Sequence, residues 1–232
     1  MKKQFFAGMR AAIPACLGVA PVGISIGLLA MQAGMSGLQT FLLSAMVMAG
    51  SSELMAISMI TQGAALSAII VGTFLINLRH IVMSSSVMQR LRGTTLPQRL
   101  LGAFALCDES FAVYSLSEDH SYAFLLGANT ALYLSFIAGT GIGSLMTSVL
   151  PQIVVDSFGI AFYAAFLGLL LPSIRRSERL IALVLLTAAL NWLLQLLLPA
   201  SWSVILAMLL GAAIGVFLVP DEPASSRQEA EV

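Results

Sequence analysis

Ala49-Gly50-Ser51-Ser52-Glu53 is the stretch on which the reading of this chain turns. No charged residue occurs from Ala11 to Ser52, and then a carboxylate arrives behind three small residues. A helix needs about 17–25 apolar residues to cross a bilayer, so this region is long enough to do so. A carboxylate within such a region is costly and marks a pathway or a binding site. Small residues beside it let backbones or a ligand approach closely. The plainer alternative is a Glu at a membrane surface, with Gly and Ser as helix-packing residues.

Outward from this stretch the composition agrees. Hydrophobic residues make up 59% of the chain and charged residues 9%, where an ordinary soluble domain has about 25% charged. Apolar segments recur along its length without the short alternation of a β-barrel. The expected fold is all-α: a polytopic helical membrane protein with a single transmembrane domain over 1–219. The polar tail over 220–232 is expected to be disordered. The formal net charge is zero, which gives no footing for nucleic acid. Cys16 and Cys107 lie in apolar stretches and read as small hydrophobes, without metal spacing or a disulfide framework. No cofactor is implied. Ile13-Pro14-Ala15-Cys16 loosely imitates a lipoprotein cleavage site. The apolar run before it is too short for a signal peptide, so the first span reads as uncleaved.

Lys2, Lys3 and Arg10 precede the first span, Ala11 to Met31, and place the N-terminus in the cytoplasm. Pro14 and Pro21, with Gly18, Gly23 and Gly27, predict a kinked or broken helix there. Further apolar elements run over Leu38–Thr61, Gly63–Val87, Leu100–Ser117, Tyr122–Leu150, Ser157–Leu171, Leu180–Leu198 and Trp202–Val219. If all were full crossings, the loop with Arg90, Arg92 and Arg99 would lie outside. The conflict disappears if Leu38–Thr61 turns back at Gly50-Ser51-Ser52 as a re-entrant hairpin. Ser157–Leu171, beyond the Pro151–Asp156 break, can do the same. Arg175, Arg176 and Arg179 then lie inside, the Glu118-Asp119-His120 turn outside, and both termini in the cytoplasm. Gly23-Ile-Ser-Ile-Gly27 recurs as Gly139-Thr-Gly-Ile-Gly143, an offset of 116 residues. On this reading 1–116 and 117–219 are inverted repeats with broken elements meeting at the midplane, a recurring transporter architecture. Seven or eight full spans is the competing arrangement.

Three polar clusters interrupt the apolar first half: Ser51-Ser52-Glu53, Asn77-Arg79-His80 and Asp108-Glu109-Ser110. Opposite charges in lipid pair, so Glu53 with Arg79, or Arg79 with Asp108, would lower the cost of burial. Alternatively Arg79 and His80 snorkel to the cytoplasmic face, and Asp108-Glu109 ends a helix at an interface. A buried carboxyl that binds and releases a proton suits a proton-driven transporter. Glu53 and Asp108 are the candidates for this.

Gly18-x-x-Pro21 with Gly27, Ala49-Gly50-Ser51-Ser52, Asn77-Leu78-Arg79-His80 and Asp108-Glu109-Ser110-Phe111 occur in this order. In that combination the chain, over roughly residues 5 to 180, resembles the AzlC family, the large subunit of branched-chain amino-acid exporters. The resemblance implies a multi-pass plasma-membrane permease exporting branched-chain or similar neutral amino acids. It also implies a small second membrane subunit of the AzlD type. One departure concerns Glu53, where the family often has Gln.

The sequence has no Gly-x-x-x-x-Gly-Lys motif, so ATP is not a direct energy source. A secondary transporter of amino acids has to satisfy two charged termini in a cavity. Residues around Pro21, Gly50, Ser51, Ser52, Glu53 and Asn77 are the candidates for substrate binding. Half-helix N-termini favour the carboxylate, and Glu53 or Asp108 the ammonium. Glu53, Arg79, His80, Asp108 and Glu109 are the candidates for coupling or ion pairing. Two other classes compete. In an intramembrane serine protease Ser51 or Ser52 would be activated by His80; the third class is a passive channel or structural subunit.

Overall fold

A computed structural model describes residues 1–91, 93–147 and 177–218. The elements among them are α-helices, with no strand. A segment surrounded by hydrocarbon satisfies its own backbone only in that form. Four of these helices are long and apolar enough to cross a membrane: Lys2–Gln32, Leu66–Arg90, Tyr122–Met146 and Glu178–Gln195. The all-α polytopic class expected from composition is what the chain adopts. It divides into two units, Met1–Ala165 and Phe166–Val232, each described by itself.

The first unit holds α1 (Lys2–Gln32), α2 (Gly37–Val47), α3 (Gly50–Thr61), α4 (Leu66–Asn77), α5 (Arg79–Arg90), α6 (Leu96–Phe104), α7 (Asp108–Leu116) and α8 (Tyr122–Met146). Its spine is α1 against α8, packed backbone to backbone through glycine. A Cβ at Gly8 would strike the carbonyl oxygen of Phe124, and one at Gly27 that of Thr140. One at Gly143 would strike the carbonyl of Ile24, and one at Gly23 would lie 3.3 Å from the Cα of Gly139. Small residues make such contacts possible, and lipid supplies no hydrophobic force to replace them.

Two sequence expectations are corrected here. Pro14 and Pro21 do not break α1, which runs unbroken over 31 residues. Both prolines occupy exposed positions, and each costs the helix one backbone hydrogen bond without ending it. The 116-residue offset reappears as the packing register, since Gly8 meets Phe124 and Gly23 meets Gly139. That register makes α1 and α8 parallel. Copies inverted at that offset would make them antiparallel.

Between these helices the chain crosses once and turns back twice. The end of the bundle where α1 and α8 begin is called the near end. From the far end α2 descends along α8, with the Thr140 hydroxyl donating to Ser44 and the Tyr133 hydroxyl to the Ala45 carbonyl. It stops at Met48, and Gly50 begins α3 against Val22, Ile26 and Phe136. After the turn at 62–65, α4 runs back along α3, so that Asn77 bonds Ser52 and Arg79 bonds Ser51. Leu78 keeps helical angles, φ −55° and ψ −28°, and α5 carries on to the near end. There Met83, Val87 and Leu91 pack with Phe124 and Leu125. Thus α4 and α5 cross together, and Leu38–Thr61 is a re-entrant hairpin as expected.

A hairpin at Leu100–Ser117 was not expected. Leu100–Ser117, read as a crossing, turns back at 105–107. α6 climbs from the near end along α8: Asn129 donates to the Gly102 carbonyl, and the Phe104 and Tyr133 rings lie 6.3 Å apart. α7 then returns, and the Tyr114 hydroxyl donates to the His120 carbonyl within the near-end cluster. The Glu118–His120 turn therefore shares the near end with the N-terminus, where the sequence reading set it on the opposite side.

In the second unit α9 (Glu178–Gln195) is capped by Ser177, whose Oγ accepts the Leu180 N–H. It packs antiparallel to α10 (Ala200–Leu218), with Gly211 against Thr187 and Gly215 against Leu183. The expected break at 151–156, the hairpin at 157–171, Arg175, Arg176 and the tail at 220–232 lie outside the described residues.

Candidate functional site

The two hairpins enter from opposite ends, and their tips meet at mid-height. They are built alike. Each opens with a capping box, Ser36 with Gln39 and Thr95 with Gln98, which fixes where the helix starts. Each breaks after about ten residues. Past each break a serine folds back on the helix start: Ser52 Oγ donates to the Ala49 carbonyl, and Ser110 Oγ to the Cys107 carbonyl. The N–H at each new helix start is also satisfied, by Glu53 at Ala49 (3.1 Å) and by Ser110 at Cys107 (3.0 Å).

The first break lies at Met48, just before Gly50. Met48 has φ 49° and ψ 40°, the left-handed region, which an L side chain adopts at a cost of about 1–2 kcal/mol. Gly50, Ser51 and Ser52, expected to form the turn, are instead the first turn of α3. Glu53 holds the distorted backbone in place. Its carboxylate is fully buried and accepts the Ser44 hydroxyl at 2.6 Å as well as the Ala49 N–H. Thr140 donates in turn to Ser44, so a chain of hydroxyls connects α8, α2 and α3. A carboxylate at the start of α3 also suits the helix dipole.

Arg79 resolves the pairing question left open by the sequence. Its Nη1 lies 2.6 Å from Asp108 Oδ2, and its Nη2 donates to Ser51 Oγ at 2.8 Å. Glu53 is left with neutral donors. Asn77 Nδ2 donates to Ser52 Oγ at 3.1 Å. His80 faces the backbone of Leu106 at the second break, and Glu109 lies against Cys107. Arg79 thus ties the central crossing to both hairpin tips. Three polar atoms there are buried without a partner: Asn77 Oδ1, Arg79 Nε and His80 Nε2. Pro21 is not brought into this group by any side-chain bond; it is exposed, and its carbonyl accepts Ser25 Oγ.

The protease arrangement does not form. Ser51 is held by Arg79, and Ser52 by Asn77 and the Ala49 carbonyl, so the hydrogen bonds of both serines go to groups other than His80. Among the described residues no group of His, Cys, Asp and Glu is placed to hold a metal ion. Sequence reading missed Ser44, Thr140 and the left-handed backbone at Met48. Ser44 was visible as a lone hydroxyl in an apolar run, and Thr140 sits inside the glycine motif that was singled out. Nothing in the sequence points to the break at Met48, because methionine carries no preference for a left-handed backbone.

With this geometry in view, comparison with known proteins settles the lineage. Residues 14–150, more than half of the chain, match the family described as AzlC protein. The chain belongs to the AzlC family. It is 35% identical to a membrane protein of Archaeoglobus fulgidus, over 74% of this chain and 77% of that one. It is 28% identical to the inner membrane protein YgaZ of Escherichia coli K12, over 80% of each. It is 27% identical to the branched-chain amino acid transport protein AzlC of Bacillus subtilis 168, over 63% and 61%. No solved structure matches. A role in transport across a membrane follows from the family, and catalysis is not what it is associated with.

Proposed function

We propose that this AzlC-family chain is a secondary permease that exports branched-chain or related neutral amino acids across the plasma membrane, coupled to protons. It works with a small second membrane subunit of the AzlD type, and its near end faces the cytoplasm. The observation that carries this reading is the meeting at mid-height of two half-length hairpins from opposite ends, with polar tips. Broken elements of this kind build substrate and ion sites in secondary transporters. The relative named for branched-chain amino acid transport supports the substrate class. Glu53 supports the coupling as a fully buried carboxyl held by the Ser44 hydroxyl and the Ala49 N–H.

The test is counterflow and efflux of labelled leucine, isoleucine, valine and a panel of other amino acids in membrane vesicles. Vesicles carry the chain alone or together with the small subunit. Efflux against a leucine gradient that stops when the proton gradient is collapsed is the expected outcome. Flux that runs only down the substrate gradient and survives that collapse would replace the reading with a passive channel. Robust gradient-driven export by the purified chain alone would remove the second subunit from it.

A further inference from the structure

We propose that the Arg79–Asp108 pair is the receptor for both charged termini of the substrate, a zwitterion that opens the pair and replaces it. The carboxylate takes the Arg79 guanidinium with help from Ser51, and the ammonium takes Asp108. This inference rests on the amino-acid reading and names the groups that would serve it.

Three observations lead here. The first is exposure. Arg79 and Asp108 are 38% and 45% exposed, yet the helices that carry them meet at mid-height of the bundle. Charges at that depth are costly against hydrocarbon, so the exposed side of this pair is where a polar group can reach it. Glu53, by contrast, is fully buried and closed off, so it has no room for a ligand. The second is unused bonding capacity. Arg79 spends Nη1 on Asp108 and Nη2 on Ser51, while Nε has no partner. A guanidinium presents its donors as a planar fork that matches a carboxylate bidentately, and Asp108 takes one nitrogen of that fork. The third is position. Ser51 is on the tip of one hairpin, Asp108 on the tip of the other and Arg79 on the crossing between them. A ligand that splits the pair therefore acts on both hairpins at once, which a transported substrate has to do.

Charge balance favours a zwitterion over an ion of one sign. A lone carboxylate would leave Asp108 unpaired, and a lone amine would leave Arg79 unpaired. Either is costly away from bulk water. A zwitterion leaves neither.

The experiment has two arms, both on the full chain in membrane vesicles with the small subunit present. In the first, unlabelled leucine, its amine (3-methylbutylamine) and its deaminated acid (4-methylpentanoate) compete with labelled leucine in counterflow. The wild type should prefer leucine over either one-charge analogue by about ten-fold or more. Asp108→Asn should bring the acid to within about three-fold of leucine, and Arg79→Gln should do so for the amine. In the second arm the wild-type protein is treated with the arginine reagent phenylglyoxal, and modification of Arg79 is followed by mass spectrometry. Leucine should slow it, and the amine should not. This arm needs no variant and decides the matter if the variants fail to insert. Leucine counterflow with no protection of Arg79, or with the wild-type order of competitors in both variants, overturns the inference and leaves the amino-acid reading standing. No counterflow of any amino acid by the wild type overturns both.

Discussion

At the scale of the residue, Glu53 has two tasks that one substitution can separate. It accepts the Ala49 N–H and the Ser44 hydroxyl beside the left-handed Met48, so it holds a strained break closed. It is also the buried carboxylate proposed to carry the coupling. Glu53→Gln has the same shape and keeps an amide oxygen for the Ala49 N–H, but it cannot take up or release a proton. The variant should insert and melt close to the wild type while the pH dependence of export flattens. An unchanged rate and pH profile at normal expression would leave Glu53 as a cap alone. Glu53→Ala removes both acceptors and strands a buried backbone donor. It should destabilise the protein by about 1–3 kcal/mol, read as a lower melting temperature in detergent than that of the Gln variant. The carboxylate was conspicuous in the sequence because nothing charged lies between Ala11 and Ser52. Its partners were not, since which hydroxyl meets it depends on where α2 ends, and that end falls at a methionine.

At the scale of the element, the α1–α8 pair and the two hairpins show what a sequence of this kind displays and what it hides. Matching glycine motifs pointed to a spacing of 116 residues, and the packing uses that register. Spacing carries no direction, however, and parallel and antiparallel helices can both bring glycines together. The first hairpin was legible from the arginines and from a cluster of small residues. The second was not, because Ala105-Leu106-Cys107 holds no Gly or Pro. Its break is made by bonds within the chain, chiefly Ser110 satisfying the Cys107 N–H. The close α1–α8 approach makes a sharp prediction. Gly27→Ala and Gly143→Ala drive a methyl into a facing carbonyl of the partner helix, which should cost about 1–3 kcal/mol each. At Gly18 and Gly141 an added methyl would meet nothing within 4 Å. At those sites alanine should be neutral or stabilise by up to about 1 kcal/mol through helix propensity. Thermal melts of the four variants in detergent check this, and equal effects at all four sites would contradict the packing register.

At the scale of the whole first unit, the hairpins change how the chain is threaded through the membrane. With both Leu38–Thr61 and Leu100–Ser117 turning back, α1, the α4–α5 crossing and α8 are the three passages among its described residues. Lys2, Lys3, Arg10, Arg90 and Arg99 then gather at the near end, while the far-end turns at 33–36 and 62–65 carry no charge. A distribution this lopsided sets orientation, so the near end should lie in the cytoplasm. The acidic Glu118–Asp119 turn goes with it, which the rule permits because acidic residues contribute little to orientation. Single cysteines in a background without Cys16 and Cys107 decide the matter. Thr94→Cys and Glu118→Cys should both be protected from an impermeant maleimide in intact cells, and both should react once the membrane is opened. Gln62→Cys, at an exposed position in a far-end turn, should react in intact cells. The relation among the three sites tests the threading independently of orientation. If 94 and 118 label together and opposite to 62, the second hairpin and the parallel α1–α8 pair stand whichever side is cytoplasmic. If 94 and 118 label from opposite sides, residues 100–117 cross the membrane, and α8 must run antiparallel to α1.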